Sequence, residues 1–395
     1  MLPRPCLSFT LPSIHDKTKL DCRIYHPLCL RDPSHESAPW SGHTAVVAHP
    51  YAPLGGCFDD PIVDVAAGTL LQLGFLVVTF NFRGASSSGG RTSWTSKPEQ
   101  ADYISVVGFL AYYAHYLDLS PRAHPTDQQW LPVMLLAGYS YGAMITTRLP
   151  PLDTILSYFS APATHSAEAD IRLRAQHLAE AWNADTASPA SPRKSFGVRI
   201  GGEEDSSWRS QDSNGLSESQ REERIRESVR HLLSRAKLDY RRSLHWSSQG
   251  ERKNEMDHCL EKVEGGVAFQ SAYLIISPPV GIVTNLATMS FSNLFSNPFS
   301  SSWVWKTDTH TQEGSVANQM LPLTSNPTLA IYGGQDGFIT DKKIREWTRQ
   351  LSRAEASQFR YVQVSEAGHF WLEGRALHQL RDAIGAFATE LTRRR

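Results

Sequence analysis

Short, uninterrupted apolar runs alternate along the chain with longer stretches whose apolar residues recur every three or four positions. The runs fall at 44–48, 75–80, 133–137, 271–276, 328–332 and 360–364. Runs apolar on both faces predict strands of a mostly parallel sheet covered on both sides. Between them, Ile62, Val65, Ala66, Thr69 and Leu70 predict a helix over 61–73, stopped by Gly74. Pro98 opens a longer one through Leu117, carried by Ile104, Val107, Phe109, Leu110 and Tyr113. Helices are also expected at 341–353 and 371–392, flanking the last run. Residues 7–26 read as a polar-edged hairpin turning at Asp16-Lys17.

Two regions break this rhythm. Residues 162–268 show helical spacing at 169–182 and 217–240, separated by text rich in Ser, Gly and Asp. Residues 280–326 mix serine with Phe291, Phe295, Phe299, Trp303 and Trp305. The chain therefore divides into one half of an α/β core (1–160), a helical and partly flexible insertion that is a candidate cap (161–269), and the second half of the core (270–395). That second half carries the lid-like aromatic segment 280–326.

Composition narrows the function classes. Of 395 residues 41% are hydrophobic, enough for a large core. Lys+Arg number 39 and Asp+Glu 40, so a net charge of −1 gives no electrostatic footing for nucleic acid or an anionic membrane. No apolar run approaches the roughly 18 residues of a membrane span, and the N-terminal text lacks a signal-peptide core. Five cysteines with no CxxC pair fit neither a disulfide framework nor tetrahedral zinc. The expectation is a cytoplasmic protein without metal or cofactor, acting on a small molecule, with 162–268 as a candidate surface for a protein partner.

The candidate chemistry starts at Gly138-Tyr139-Ser140-Tyr141-Gly142, which follows an apolar strand and precedes a helix start at Ala143. In this setting a serine sits on a tight strand-to-helix turn. A Cβ at either flanking glycine would clash with the turn or the neighbouring strand. The turn exposes the hydroxyl and leaves the Tyr141 N–H at a helix N-terminus, where it can stabilise an oxyanion. A serine needs a base, and His369 lies just past the last strand. A base needs an orienting carboxylate, and Asp336 lies just past the strand before it. The order Ser, acid, His is the one this architecture uses. Asp341 competes as the acid but reads better as the N-cap of helix 341–353. A second oxyanion donor is expected after strand 44–48: Pro50 has no N–H, so Tyr51 is the first available, and Gly55-Gly56 would let the backbone approach a ligand. Arg83, after strand 75–80, is expected to anchor its loop rather than touch substrate.

Together these motifs resemble the α/β-hydrolase superfamily. They are His49-Pro50, Asn81-Phe82-Arg83-Gly84, the Ser140 turn, Ser277-Pro278-Pro279-Val280-Gly281, Gly333-Gly334-Gln335-Asp336-Gly337-Phe338 and Ala367-Gly368-His369-Phe370. More narrowly the chain is similar to small serine-hydrolase-like proteins of bacteria and fungi. The resemblance covers about 1–160 and 270–392. It implies the α/β-hydrolase fold with an eight-stranded sheet, a Ser140–Asp336–His369 triad and an oxyanion hole from the Tyr51 and Tyr141 backbones. Where the family commonly has Gly-x-Gly-x-Ser, this chain has Ala85-Ser86-Ser87-Ser88-Gly89, and the insertion at 162–268 is a second departure. The implied activity is serine hydrolysis of a carboxylic ester, thioester or lactone. Acyl transfer or cyclisation on the same residues, and a non-catalytic interaction protein on the same scaffold, are the alternatives.

Overall fold

The structure is a computed structural model describing residues 1–31, 40–93, 95–117, 131–187, 259–263, 265–280 and 321–393. Eight strands form one sheet in the order β1-β2-β4-β3-β5-β6-β7-β8. The predicted hairpin is β1 (Leu7–Pro12) and β2 (Lys19–Tyr25), paired antiparallel. β2 also runs antiparallel to β4 (Leu76–Phe80). Every later pairing is parallel: β3 (Thr44–Ala48) with β4 and with β5 (Val133–Tyr139), then β6 (Gln270–Ile276), β7 (Thr328–Gly333) and β8 (Phe359–Val364). From β3 the chain steps to β4 on one side and then crosses to β5 on the other. In open α/β sheets such a reversal is where ligands bind, beyond the carboxyl ends of the strands.

Helices cover both faces, as the doubly apolar strands require. On one face lie α1 (Pro61–Gln72) and α7 (Ala376–Arg393), packed on Ala45, Val47, Val77, Leu135 and Tyr139. Asp60 caps α1 by accepting from the Ile62 and Val63 N–H groups, and Pro61 pre-sets the first turn. On the other face lie α2 (Lys97–Tyr116), α3 (Tyr141–Thr146), α4 (Leu152–Ser160) and α5 (Ala167–Ala187), packed on Val46, Ala48, Val78 and Leu136. α2 is buried from Asp102 to Ala114 because α5 covers the side the sheet does not. α5 is tied to the core by Arg174, whose guanidinium donates to the Thr10 carbonyl (3.1 Å), and by Asn183, which donates to the Tyr116 carbonyl (2.9 Å).

α6 (Asp341–Ser352) flanks β7 and β8. Two local expectations are corrected here. Thr340 occupies the cap position of α6; Asp341 is the first helical residue, and its carboxylate accepts from Arg345 one turn on (2.8 Å). The last helix begins at 376 rather than 371, because Trp371 (φ 58°) and Gly374 (φ 43°) are left-handed and hold 369–375 in turns. The helix expected at 217–240, the Phe/Trp stretch 291–305 and most of both interrupting regions lie outside the described residues. Among the described residues no helix is long and apolar enough to cross a membrane, and no group of three His, Cys, Asp or Glu is placed to hold a metal.

Candidate active site

The ends of β3, β4, β5, β6, β7 and β8 line up along one edge of the sheet, since Ala48 pairs with both Phe80 and Gly138, Tyr139 with Ile276, and Gly333 with Val364. Every sequence-predicted site residue lies on a loop or helix start leaving that edge. Ser140 leaves β5 at φ 52° and ψ −115°, and α3 starts at the next residue. Such a conformation costs a non-glycine residue about 1–3 kcal/mol and persists only where the surroundings enforce it. Here the Ser140 N–H donates to the Ile276 carbonyl and its own carbonyl accepts from Met144, both within 3.0 Å. Neither flanking position tolerates a side chain. A Cβ at Gly142 would sit 2.6 Å from the Ala48 and His49 carbonyl oxygens, and one at Gly138 would run into the Gly142 backbone.

The structure brings Ser140, His369 and Asp336 into one relay. His369 Nε2 lies 2.8 Å from Ser140 Oγ, and His369 Nδ1 lies 2.7 Å from Asp336 Oδ2. The carboxylate can only accept, so Nδ1 carries the proton and Nε2 is left to accept from the serine hydroxyl. His369 and Asp336 are buried and Ser140 is half-buried, so the hydroxyl is the reachable end of the chain. The second Asp336 oxygen accepts from the Phe338 N–H (2.9 Å). A gap-free relay of this kind lets the imidazole take a proton from the hydroxyl while the carboxylate fixes its tautomer.

The two residues expected to donate from their backbones meet beside the serine. The Tyr51 and Tyr141 rings lie 5.1 Å apart. Tyr141 is the first residue of α3, so its N–H is one of those a helix leaves without an internal acceptor. The Tyr51 carbonyl closes a tight turn by accepting from the Leu54 and Gly56 N–H groups (3.1 and 3.2 Å). Gly55 is left-handed at φ 89°, and a Cβ on Gly56 would run into the Pro50 carbonyl. The Gly55-Gly56 pair thus serves the turn's own closure.

Several further residues hold this arrangement. His49 is fully buried. Its Nε2 accepts from the Phe82 N–H (2.9 Å), so Nδ1 carries the proton and donates to the Pro50 carbonyl (2.6 Å). Burial lowers its pKa to about 4, partly offset by that carbonyl. The ring therefore stays neutral and staples the 49–56 loop to the 81–83 turn. Arg83 anchors that turn, as expected. Its guanidinium pairs with both Asp102 oxygens (2.7 and 2.9 Å) and also reaches Asp16 (2.9 Å) and Ser13 (3.1 Å). Burial alone would raise the Asp16 pKa, but hydrogen bonds from Arg83 and Thr18 outweigh it and bring it to about 2. The departing turn at 85–89 folds against β2: Ser88 Oγ accepts from the Asp21 N–H and donates to the Asn81 carbonyl, and the Gly89 N–H donates to Lys19.

Across the site, the Tyr139 hydroxyl donates to the His369 carbonyl at 2.9 Å, tying the residue before the serine to the loop of the base. Burial raises the Tyr139 pKa, so the hydroxyl keeps its proton. Trp371 Nε1 donates to Ser277 Oγ (3.1 Å), and Glu373 accepts from the Gly368 N–H (2.8 Å). Tyr139 packs with Leu135 and Ala137 on the α1/α7 face, whereas Tyr141, the first residue of α3, packs on the other face.

The strand order, the lone antiparallel β2 and the strained serine after β5 define the α/β-hydrolase fold. No protein-family model matches the chain, and no curated protein matches it. Among solved structures it is similar to an α/β serine hydrolase without lid from Xanthomonas campestris, with 16% identity over 99% of this chain and 96% of the other and a TM-score of 0.45. It is also similar to Est1E from Butyrivibrio proteoclasticus with ferulic acid bound (12%, 97% and 99%, 0.46) and to an esterase from Pyrococcus furiosus (12%, 97% and 92%, 0.44). Likeness at this level assigns no role to any residue; the roles below rest on geometry.

Proposed function

We propose that this protein is a serine hydrolase that cleaves a carboxylic ester, thioester or lactone through an acyl-enzyme on Ser140. The carrying observation is the relay Asp336 Oδ2–His369 Nδ1, His369 Nε2–Ser140 Oγ, at 2.7 and 2.8 Å. In this reading Ser140 Oγ attacks the acyl carbon as its proton passes to His369 Nε2. The Tyr51 and Tyr141 N–H groups hold the oxyanion. The tetrahedral adduct collapses as His369 returns the proton to the departing oxygen or sulfur. Water then attacks the acyl-enzyme, losing its proton to His369, and Ser140 is released with its proton restored.

The test is labelling by a fluorophosphonate together with turnover of p-nitrophenyl esters of graded chain length. The wild type should label and turn over, and Ser140→Ala should do neither. A wild type that resists the probe and every ester would leave the non-catalytic scaffold as the surviving alternative. Acyl transfer is separated from hydrolysis by product analysis in the presence of an added alcohol.

A further inference from the structure

The loops that carry the acid and the base expose large apolar side chains. Phe338 is 40% exposed, Phe370 58% and Leu372 85%. Scattered surface hydrophobics are ordinary, but a contiguous group is not. The two phenylalanines are gathered on the imidazole: the Phe338 ring lies 4.6 Å from that of His369, and the Phe370 ring lies 5.4 Å away and perpendicular to it. The two phenyl rings meet edge to face at 5.7 Å. Their positions are set by the backbone that sets the relay, since the Phe338 N–H donates to Asp336 and Phe370 follows His369 directly.

We propose that Phe338 and Phe370 form the subsite for the leaving group, and that it takes an aromatic alcohol, making the substrates aryl esters. This rests on the hydrolase reading above. The direction follows from proton delivery. His369 Nε2 must hand its proton to the departing oxygen, so whatever that oxygen carries starts within reach of the imidazole, beside the two rings. The Tyr51 and Tyr141 donors follow β3 and β5, across β6 from the β7 and β8 loops, so the acyl carbonyl points away from this wall. The aromatic class follows from ring geometry. Edge-to-face and offset contacts at about 4.5–7 Å favour a third ring over an alkyl group of equal area.

The test compares phenyl acetate with the acetate of hexafluoroisopropanol, an aliphatic alcohol of similar acidity. Phe370→Ala should lower the phenyl-to-hexafluoroisopropyl ratio of kcat/KM by roughly tenfold. Phe338→Leu, which keeps apolar bulk beside Asp336 but removes the ring, should lower it in the same direction. Fluorescence titration of 2-naphthol into Ser140→Ala, with and without Phe370→Ala, reads the subsite without turnover; binding should weaken by a similar factor. An unchanged ratio in both variants, or unchanged naphthol binding, overturns the proposal. A wild type that labels with fluorophosphonate yet prefers the aliphatic ester sinks the subsite alone. One that neither labels nor hydrolyses either ester sinks the hydrolase reading and the subsite with it.

Discussion

The β3–β4 side of the site and its β7–β8 side are held by different means. On the first, a neutral buried histidine, a buried arginine and a folded-back serine turn lock the 49–56 and 81–89 loops through closely spaced polar contacts. On the second, the loops bearing Asp336 and His369 are tied by long-range hydrogen bonds from Tyr139 and Trp371 and a local one from Gly368 to Glu373, and leave phenyl rings facing outward. The contrast assigns labour. Donors aimed at a developing charge work best when they need no rearrangement, and buried polar networks supply that rigidity. On the proposed hydrolase reading, the acid–base side also meets a variable part of the substrate, and apolar surface suits that.

The comparison can be broken most forcefully at the relay. Asp336→Asn leaves the shape intact but removes the acceptor for Nδ1–H, so kcat on p-nitrophenyl esters should fall by about 10⁴-fold while fluorescence-monitored unfolding barely moves. A loss under tenfold would mean that the carboxylate does not orient the imidazole.

On the opposite side the balance should reverse. Arg83→Met strands the buried Asp102 carboxylate, and the cost should be about 3–5 kcal/mol in urea denaturation. If stability held and only activity fell, Arg83 would belong with the reacting groups after all.

Acid should loosen the same side through His49, and the far edge of the sheet through His26, which follows Tyr25, the β2 partner of Val77 near the start of β4. His49 and His26 are both buried, and burial lowers their pKa values to about 4 and about 3, whereas a histidine in the unfolded chain titrates near 6.5. The stability of the neutral rings is intact above pH 6.5. As pH falls below that, the unfolded chain takes up protons the folded chain refuses. Each histidine then costs about 1.4 kcal/mol per pH unit, levelling off below about 4 for His49 and about 3 for His26. Urea midpoints measured from pH 7.5 to 5 should decline, and His49→Gln should flatten the decline.

The smallest effect sharpens the comparison at its seam. Tyr139→Phe keeps the ring in the core and removes the hydrogen bond to the His369 carbonyl. We expect kcat to fall about tenfold with KM unchanged, the loss of one positioning contact. Equal changes in KM would indicate a disturbed binding surface instead of a displaced base.

Much of this was legible in the sequence, for identifiable reasons. Strands buried on both faces write themselves as continuous apolar runs, and each predicted run lies within two residues of an observed strand. Ser140, Asp336 and His369 were visible because each closes such a run. What stayed hidden depends on contacts between distant loops. Nothing near position 139 announces that its hydroxyl meets a carbonyl 230 residues away, and nothing around His49 shows that it holds the next loop rather than a ligand. The start of α7 was misplaced because a tryptophan in a left-handed conformation is rarely read as a break. Asp341 misled because a residue type favoured at helix caps can equally well fill the first turn.

β7 and β8 join the sheet last in the chain and at its rim, β8 pairing with β7 alone. During synthesis the strand before Ser140 can therefore take its place between β3 and β6 while Asp336 and His369 are still untranslated. On the proposed hydrolase reading, a nascent chain thus carries an inert alcohol, and the polypeptide acquires chemical bite only as β7, β8 and their loops dock.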